Sequence, residues 1–226
     1  MTYLVSAILP TRGRFELCCR SIDSLFSTAI NPDSIEVLIG YDNDDIEAAN
    51  KLKEYYKNKE NIRFFEYPRY GYKYLNKYVN DLSLKSNGQW LFLWNDDAIM
   101  ETYGWDEYIL SYEDRFCCIC PMSNIGYTGL FPLIPKKWVE LTGHFAQNCS
   151  NDTWVEDIAR TVGIYVDEYR INIMHDRGDL TGNNKDSTFC ERVYDTEYYY
   201  SEEQKAMRQI DANKISEYLK EIKTLH

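Results

Sequence analysis

The chain lacks the segments that mark secretion or membrane insertion. No basic amino-terminal region precedes an apolar stretch. No run of about 18 apolar residues, the length that spans a bilayer, occurs anywhere. We therefore expect no signal peptide, no membrane span and a cytoplasmic location (the host cytoplasm if the gene is viral).

Basic charge is also scarce, with 25 basic residues against 36 acidic ones and a net charge of −11. A nucleic-acid partner requires a concentrated basic surface to neutralise phosphates, so we expect none. An acidic protein that binds a diphosphate needs a cation to offset the charge, and a divalent metal ion is the usual one.

Cysteine pairs at zinc-site spacing are missing, although the chain has seven cysteines. Cys117 and Cys120 form one C-x-x-C pair, but they belong to a short apolar segment that reads as a buried strand. No second pair or histidine cluster accompanies them. We predict free, mostly buried thiols in a reducing compartment.

What is present is an alternation of apolar runs over the first hundred residues. Short β-rich runs predict strands at residues 5–10, 35–41, 62–67 and 90–94. Between them, apolar residues at helical spacing predict helices at 15–28, 46–57 and 72–84. This order predicts an α/β fold with a mostly parallel central sheet flanked by helices.

The second half of the chain is less regular. We predict strands at 117–121, 131–135, 164–166 and 171–174, and helices at 138–142 and 154–162. Residues 177–200 read as a tyrosine-rich loop and residues 202–222 as an amphipathic helix. We expect one domain over residues 1–176, with residues 177–226 as a loop and helix packed on it.

Polar clusters follow three of the predicted strands, where ligands of open α/β sheets bind. They are Thr11-Arg12, Asp42 to Asp45 and Asn95-Asp96-Asp97. The adjacent carboxylates of the last cluster suit a divalent ion bound to diphosphate oxygens, or form an ordinary turn or helix cap. An acid such as Asp42 suits a ribose hydroxyl or a base N–H, whereas Asp44 and Asp45 suit a helix cap better.

Two further candidates lie in the second half. Glu156-Asp157 can deprotonate an acceptor hydroxyl, or can simply charge the first turn of a helix. His175 follows a predicted strand and can be a metal ligand or a structural histidine.

In this order, the motifs resemble those of the GT-A glycosyltransferases, in particular the inverting family 2. The carrying segments are Ile8 to Arg14 (ILPTRGR), Asp42, Tyr74-Leu75-Asn76, Phe92 to Asp97 (FLWNDD), Gly143-His144-Phe145, Glu156 to Arg160 (EDIAR) and His175. The resemblance covers about residues 3–176 and implies the GT-A fold, nucleotide-sugar transfer with inversion and a role in glycan biosynthesis.

The resemblance also implies roles for individual residues. It makes Asp157 the catalytic base, and Asp97 and His175 the ligands of Mn²⁺ or Mg²⁺. It assigns the donor nucleotide to the following residues: Pro10, Thr11, Arg12, Asp42, Asn76, Asn95 and Asp96. A UDP-sugar is the favoured donor of a hexosyl or deoxyhexosyl group, and the acceptor is expected to be a glycan or glycoconjugate.

The sequence departs from the family pattern at two places. The D-x-D metal motif reads Asn95-Asp96-Asp97, so Asp97 is the preferred metal ligand and Asp96 the second choice. His144 replaces a glycine at a position that faces the acceptor in related enzymes. Two rival functions stay open: a sugar-phosphate nucleotidyltransferase, and a degenerate nucleotide-sugar-binding module without catalysis.

The role of the tyrosine-rich segment is open in the same way. Tyr194, Tyr198, Tyr199 and Tyr200 form an acceptor-side lid in one interpretation, because aromatic rings stack on sugar faces. In the other, which we favour, they are ordinary packing residues.

Overall fold

The computed structural model describes residues 3–182, 190–191 and 196–224. Its strands are β1 (Tyr3–Thr11), β2 (Ile35–Asp42), β3 (Ile62–Tyr67), β4 (Gly88–Leu93), β5 (Ala98–Met100), β6 (Cys118–Ser123), β7 (Leu133–Pro135) and β8 (Tyr165–His175). Its longer helices are α1 (Phe15–Thr28), α2 (Ile46–Tyr55), α3 (Leu75–Lys85), α4 (Trp105–Leu110), α5 (Lys136–Thr142) and α6 (Asn151–Val162). Two short helices, α7 (Gly178–Thr181) and α8 (Thr196–Tyr199), precede a long one, α9 (Glu202–Thr224).

The eight strands form one sheet in the order β3-β2-β1-β4-β7-β6-β8-β5. The first four strands are parallel to one another, and β7 runs antiparallel to both β4 and β6. The carboxyl ends of β1, β2 and β4 therefore meet at one edge of the sheet, as the sequence predicts.

Both faces of the sheet are covered, which explains why the central strand β4 is apolar on both faces from Trp90 to Leu93. Successive residues of β1 point in opposite directions: Ala7 and Leu9 pack with α1 and α4, whereas Ile8 packs on the face that carries α3, α5, α6 and α9. Each face has a large buried indole, Trp105 on the first and Trp138 on the second.

The expected α/β class is confirmed, and several element boundaries are corrected. Helix α6 begins at Asn151, three residues before the predicted start. The two late strands are one continuous strand, β8, and neither β5 nor α4 was predicted. Residues 177–200 are not simply a loop, because they contain α7 and α8. Tyr194 lies outside the described residues.

Two other expectations concern cysteines and membranes. The seven cysteines are free thiols, six of them buried and Cys190 exposed. Across the described ranges, no helix has both the length and the apolar character that crossing a bilayer demands.

Candidate active site

Two adjacent carboxylates, those of Asp96 and Asp97, lie just beyond the carboxyl end of β4. The pairing of β4 with β1 continues one residue past the strand, because the N–H of Trp94 donates to the carbonyl of Ile8 at 3.0 Å. The chain then turns sharply, and both carboxylates are buried, with 6% and 5% exposure. The acid pair is thus fixed at the edge of the sheet by the central strand.

Asp96 is held by residues that follow the neighbouring strand β1. Its Oδ2 accepts a hydrogen bond from Thr11 Oγ1 at 2.7 Å, and its Oδ1 accepts one from Arg14 Nη1 at 2.8 Å. The same Arg14 nitrogen lies 3.4 Å from Asp97 Oδ2. All three members of this ion-pair cluster have side chains under one-tenth exposed. Arg14 is therefore a buried cation between the two acids.

Asp97 meets His175 because β5 and β8 pair in antiparallel register. Ala98, the residue after Asp97, stands opposite His175 in that register. His175 Nε2 consequently lies 3.1 Å from Asp97 Oδ1. The amide nitrogen of Asn95 also approaches Nε2, at 3.4 Å. The imidazole ring packs edge-on against Phe131 with 5.0 Å between ring centroids, which fixes its orientation.

The surroundings of the acid pair change its protonation. Burial raises the pKa of Asp96, and the charge of Asp97 adds to this, while Arg14 acts in the opposite direction. For Asp97, burial is outweighed by the hydrogen bond and charge of His175 and by Arg14, so its pKa is lowered. Asp97 is therefore the member of the pair that stays ionised most readily, as a metal ligand must be.

A second carboxylate cluster lies at the end of β2. Asp42 is buried, with Oδ1 accepting a short hydrogen bond from the hydroxyl of Tyr78 and Oδ2 accepting one from Arg12 Nη1 at 3.0 Å. Arg12 also pairs with Asp44, with Nη2 at 3.1 Å from Oδ2. Asp45 caps no helix with its side chain and instead accepts from the N–H of Gly13 at 2.6 Å. The clusters after β1 and β2 are thus bonded to each other.

One cavity connects the acid pair with the cluster at β2. Among the predicted residues, Pro10, Thr11, Arg12, Asp42, Asn95, Asp96, Asp97 and His175 line it. The end near β2 is walled by Gly40 and by Tyr72, Leu75 and Tyr78. A β-carbon at Gly40 would lie 3.1 Å from Tyr67 and Leu82, so the glycine allows these core residues to pack closely behind the wall. A partly aromatic wall next to a carboxylate suits a nucleoside.

The described residues that line the cavity carry more negative than positive charge. Among them, five carboxylates, those of Asp42, Asp96, Asp97, Asp152 and Glu191, face three guanidinium groups, those of Arg12, Arg14 and Arg177. A diphosphate would add further negative charge. A bound cation would offset this repulsion, and carboxylate and imidazole are ligands that divalent ions accept.

The contact between Asp97 and His175 has the length of an ion pair, and it is also compatible with two ligands of one divalent ion. Two ligands about 2.1 Å from an octahedral ion, at right angles, lie about 3.0 Å from each other. The observed 3.1 Å between Asp97 Oδ1 and His175 Nε2 fits this value. Within the described residues, no group of three or more His, Cys, Asp and Glu side chains is placed to hold a metal. At a site with these two protein ligands, phosphate oxygens of the bound ligand and water would have to supply the remaining ligands.

Asp157, the predicted base, does not line the cavity. Its carboxylate pairs with Arg208 of α9, with Nε 3.2 Å from Oδ2, and its side chain is 37% exposed. Its neighbour Glu156 accepts a short hydrogen bond from Tyr127 and pairs with Arg160 at 2.8 Å. Both members of the Glu-Asp motif are therefore engaged in contacts away from the acid pair.

Asp152, one turn earlier on α6, lies in the cavity instead. Because α6 starts at Asn151, Asp152 belongs to the first turn of the helix and the Glu-Asp motif to its middle. Burial raises the pKa of Asp152, and the charge of Glu156 adds to this. The sequence signal was present, since Ser150 precedes a polar triplet, but the prediction placed the helix start at Trp154.

Asn76 also lies outside the cavity lining. Its amide nitrogen is 3.5 Å from the carbonyl of Ala146. One turn later, Asn80 donates to the same carbonyl at 2.8 Å and accepts from the N–H groups of Phe145 and Ala146 at 2.8 and 3.1 Å. Helix α3 therefore holds the loop before α6 through Asn80, which sequence reasoning did not identify.

The histidine that replaces a glycine of the family pattern has a structural partner. His144 Nε2 lies 2.7 Å from Asp211 Oδ2 of α9, and Asp211 is completely buried. The same oxygen accepts from Trp154 Nε1 at 3.2 Å. His144 does not line the cavity and instead joins the loop before α6 to the last helix.

No family model matches this chain, and no curated protein sequence is similar to it. Solved structures do share its fold. The crystal structure of S. aureus TarS 1-349 in complex with UDP-GlcNAc superposes with a TM-score of 0.68 at 11% sequence identity, covering 92% of this chain and 66% of the other. For TarS 1-349 in complex with UDP, the TM-score is 0.61 at 12% identity, and the shares are 76% and 60%.

A second similar structure comes from Pyrobaculum calidifontis. Mannosyltransferase PcManGT in complex with GDP-Man and Mn²⁺ superposes with a TM-score of 0.61 at 11% identity, covering 96% of this chain and 75% of the other. In a further crystal structure of TarS 1-349, the chain spans 61% of the length of that protein. The superpositions establish a common fold. Because the sequence identities are so low, the activity has to be argued from the residues.

Proposed function

We propose that this protein is a metal-dependent glycosyltransferase that moves a sugar from a nucleotide-diphosphate sugar to an acceptor hydroxyl. The observation that carries the proposal is one cavity at the carboxyl ends of β1, β2 and β4. It combines a partly aromatic wall beside Asp42, the adjacent side chains of Asp97 and His175, and the carboxylate of Asp152. The fold is that of proteins solved with UDP-GlcNAc and with GDP-Man and Mn²⁺, which supports the same ligand class here.

In this proposal the two ends of the cavity hold different parts of the donor. Asp42 and Arg12 face the nucleoside, with Gly40 and Tyr72 beside it, and Thr11 and Asn95 lie between this end and the acid pair. Asp97 and His175 would hold Mn²⁺ or Mg²⁺ against the diphosphate. When bound, that ion would neutralise the charge that develops as the nucleoside diphosphate leaves.

Asp152 replaces Asp157 as the proposed catalytic base. A base must reach the acceptor hydroxyl beside the donor sugar, and Asp152 is the α6 carboxylate that shares the cavity with the acid pair. Its raised pKa makes it a stronger base than an exposed aspartate. Attack by the deprotonated hydroxyl from the side opposite the leaving diphosphate would invert the anomeric carbon, so we propose an inverting reaction.

The donor is proposed to be a UDP-sugar, carrying a hexosyl or deoxyhexosyl group, and the acceptor a glycan or glycoconjugate. The test is release of nucleoside diphosphate from UDP- and GDP-sugars with Mn²⁺, compared with EDTA, in the parent and in Asp97→Ala. We expect the parent to release nucleoside diphosphate from the donor in the presence of Mn²⁺ and not in the presence of EDTA. No acceptor is needed, because hydrolysis by water usually accompanies transfer. Pyrophosphate formed from a sugar phosphate and a nucleoside triphosphate would instead establish a nucleotidyltransferase.

A further inference from the structure

Arg14 occupies a position that the proposed function leaves unexplained. It is the last residue before α1, and its guanidinium lies between the carboxylates of Asp96 and Asp97, at 2.8 and 3.4 Å. Its side chain is only 8% exposed. A buried arginine here gives the acid pair a cation that belongs to the chain itself.

This arrangement places two cations in competition for one carboxylate. Asp97 presents Oδ1 to His175 and Oδ2 to Arg14, so an ion on Oδ1 would lie close to the guanidinium. Like charges at such short range repel each other strongly where little water separates them. Asp96 does not offer the metal ion an unoccupied carboxylate in place of Asp97, because Thr11 and Arg14 donate hydrogen bonds to its two oxygens.

A diphosphate would remove this conflict. The planar guanidinium matches phosphate oxygens as well as it matches carboxylates. Arg14 lines the same cavity as the acid pair and the wall beside Asp42, so its charge is already within the space where a diphosphate would lie. Arg14 would then exchange carboxylate oxygens for phosphate oxygens.

We propose that Arg14 is the cation of the acid pair when no donor is present and passes to the donor diphosphate when metal and donor bind. The divalent ion and the donor therefore bind cooperatively, each increasing the affinity of the other by the same factor. This inference rests on the proposed function and adds to it a binding order, in which metal alone binds weakly.

The test is Mn²⁺ binding, followed by the electron paramagnetic resonance signal of the free ion. Mn²⁺ is titrated alone, and then with UDP or with GDP, into the parent and into Arg14→Met. The methionine keeps an apolar stem and removes the charge. We expect Arg14→Met to bind Mn²⁺ alone about tenfold more tightly and UDP or GDP with Mn²⁺ about tenfold more weakly, within the usual range of coupling between sites.

The control is Arg20→Met on α1, the helix that begins just after Arg14. Arg20 pairs with Asp176, the neighbour of His175, but does not line the cavity. The variant Arg20→Met removes an equal positive charge close to the site. We expect its affinities for Mn²⁺ and nucleotide to stay close to those of the parent. Arg14→Lys is a second variant that keeps the charge without the fork, and it should keep Mn²⁺ binding weak.

The outcomes separate this inference from the proposed function. If the parent binds Mn²⁺ with UDP or GDP and Arg14→Met changes both affinities in the same direction or neither, the exchange role of Arg14 is wrong and the donor site stands. If the parent binds no Mn²⁺ with or without either nucleotide, the donor site itself is wrong. Opposite changes in Arg14→Met, absent in Arg20→Met, support the exchange.

Discussion

Asp152 and Asp157 lie on the same helix but in different surroundings. Asp152 faces the cavity that holds the acid pair, whereas Asp157 is paired with Arg208 from another helix. The pKa of each is raised by burial, so protonation alone does not tell them apart. Their positions do distinguish the two residues, because a general base acts only within hydrogen-bond reach of the group it deprotonates.

Replacing each carboxylate by its amide separates the two candidates. Asp152→Asn keeps the shape of the side chain but cannot take a proton, so the transfer rate should fall by about 10²–10⁴-fold, the usual contribution of a general base. Donor affinity, measured by equilibrium binding, should change little. Asp157→Asn is the control and should keep most of the rate. A slow Asp157→Asn with a normal Asp152→Asn would contradict the assignment.

The raised pKa of Asp152 also predicts the pH dependence of the reaction. A base acts in its deprotonated form, so kcat/KM for the acceptor should fall as pH falls through this pKa, about tenfold per pH unit below it. The profile is measured at saturating donor and Mn²⁺. Asp157→Asn should keep the acid limb and Asp152→Asn should lose it. An unchanged acid limb in Asp152→Asn would assign the titration to another group.

The sequence indicated most polar residues of the site but gave no role to Arg14. Thr11, Asp42, Asp96 and Asp97 follow strands whose ends must meet, so their grouping follows from local patterns. Arg14 is a single basic residue in a turn, and nothing local signals that it is buried between two acids. Such a position depends on contacts made by the whole fold.

At the scale of elements, the pairing of β5 with β8 creates the proposed metal site. These strands bring together residues almost eighty positions apart, with Ala98 opposite His175. The sequence suggested His175 as a ligand by resemblance but did not predict β5, because a strand of three residues gives no periodic signal. The start of α6 was misplaced because its first three residues, 151–153, are polar and precede the apolar pattern that begins at Trp154.

Helix α9 positions the segment that leads to Asp152. Its fully buried Asp211 contacts His144 and Trp154, and its buried Gln204 accepts from the amide of Asn148 at 2.9 Å. The loop before α6 is thus held by α9 on one side and by Asn80 of α3 on the other. The last helix therefore supports the site although none of its residues lines the cavity.

Removing Asp211 tests this support. Asp211→Ala leaves His144 and Trp154 without their acceptor, so the free energy of unfolding should fall by about 2–4 kcal/mol. Urea denaturation measures the change. Glu217→Ala removes an exposed acid from the same helix and should change stability by less than about 0.5 kcal/mol. Equal effects of the two variants would show that Asp211 is not a structural anchor.

For the whole molecule, the negative net charge and the excess of carboxylates in the described lining of the cavity both favour a bound cation. In the proposed function, a chain of net charge −11 takes a diphosphate into a cavity whose described lining has more carboxylates than guanidinium groups, and an added cation would offset the repulsion. The sequence predicted this need and the α/β class, since both follow from composition and alternation. It did not predict how α9 packs, because that depends on contacts between distant segments.

The most direct test of the donor site is thermal stability against a panel of UDP-, GDP-, dTDP- and CMP-linked sugars, each with Mn²⁺ and with EDTA. A ligand at about 100 times its Kd stabilises the folded state by about 2.7 kcal/mol. For a chain of this size, that raises the midpoint by about 5–10 °C. We predict such a rise with one nucleotide family, UDP-sugars first, and only with Mn²⁺. No rise with any of the sugars would contradict the donor site and indicate a fold that has lost the function.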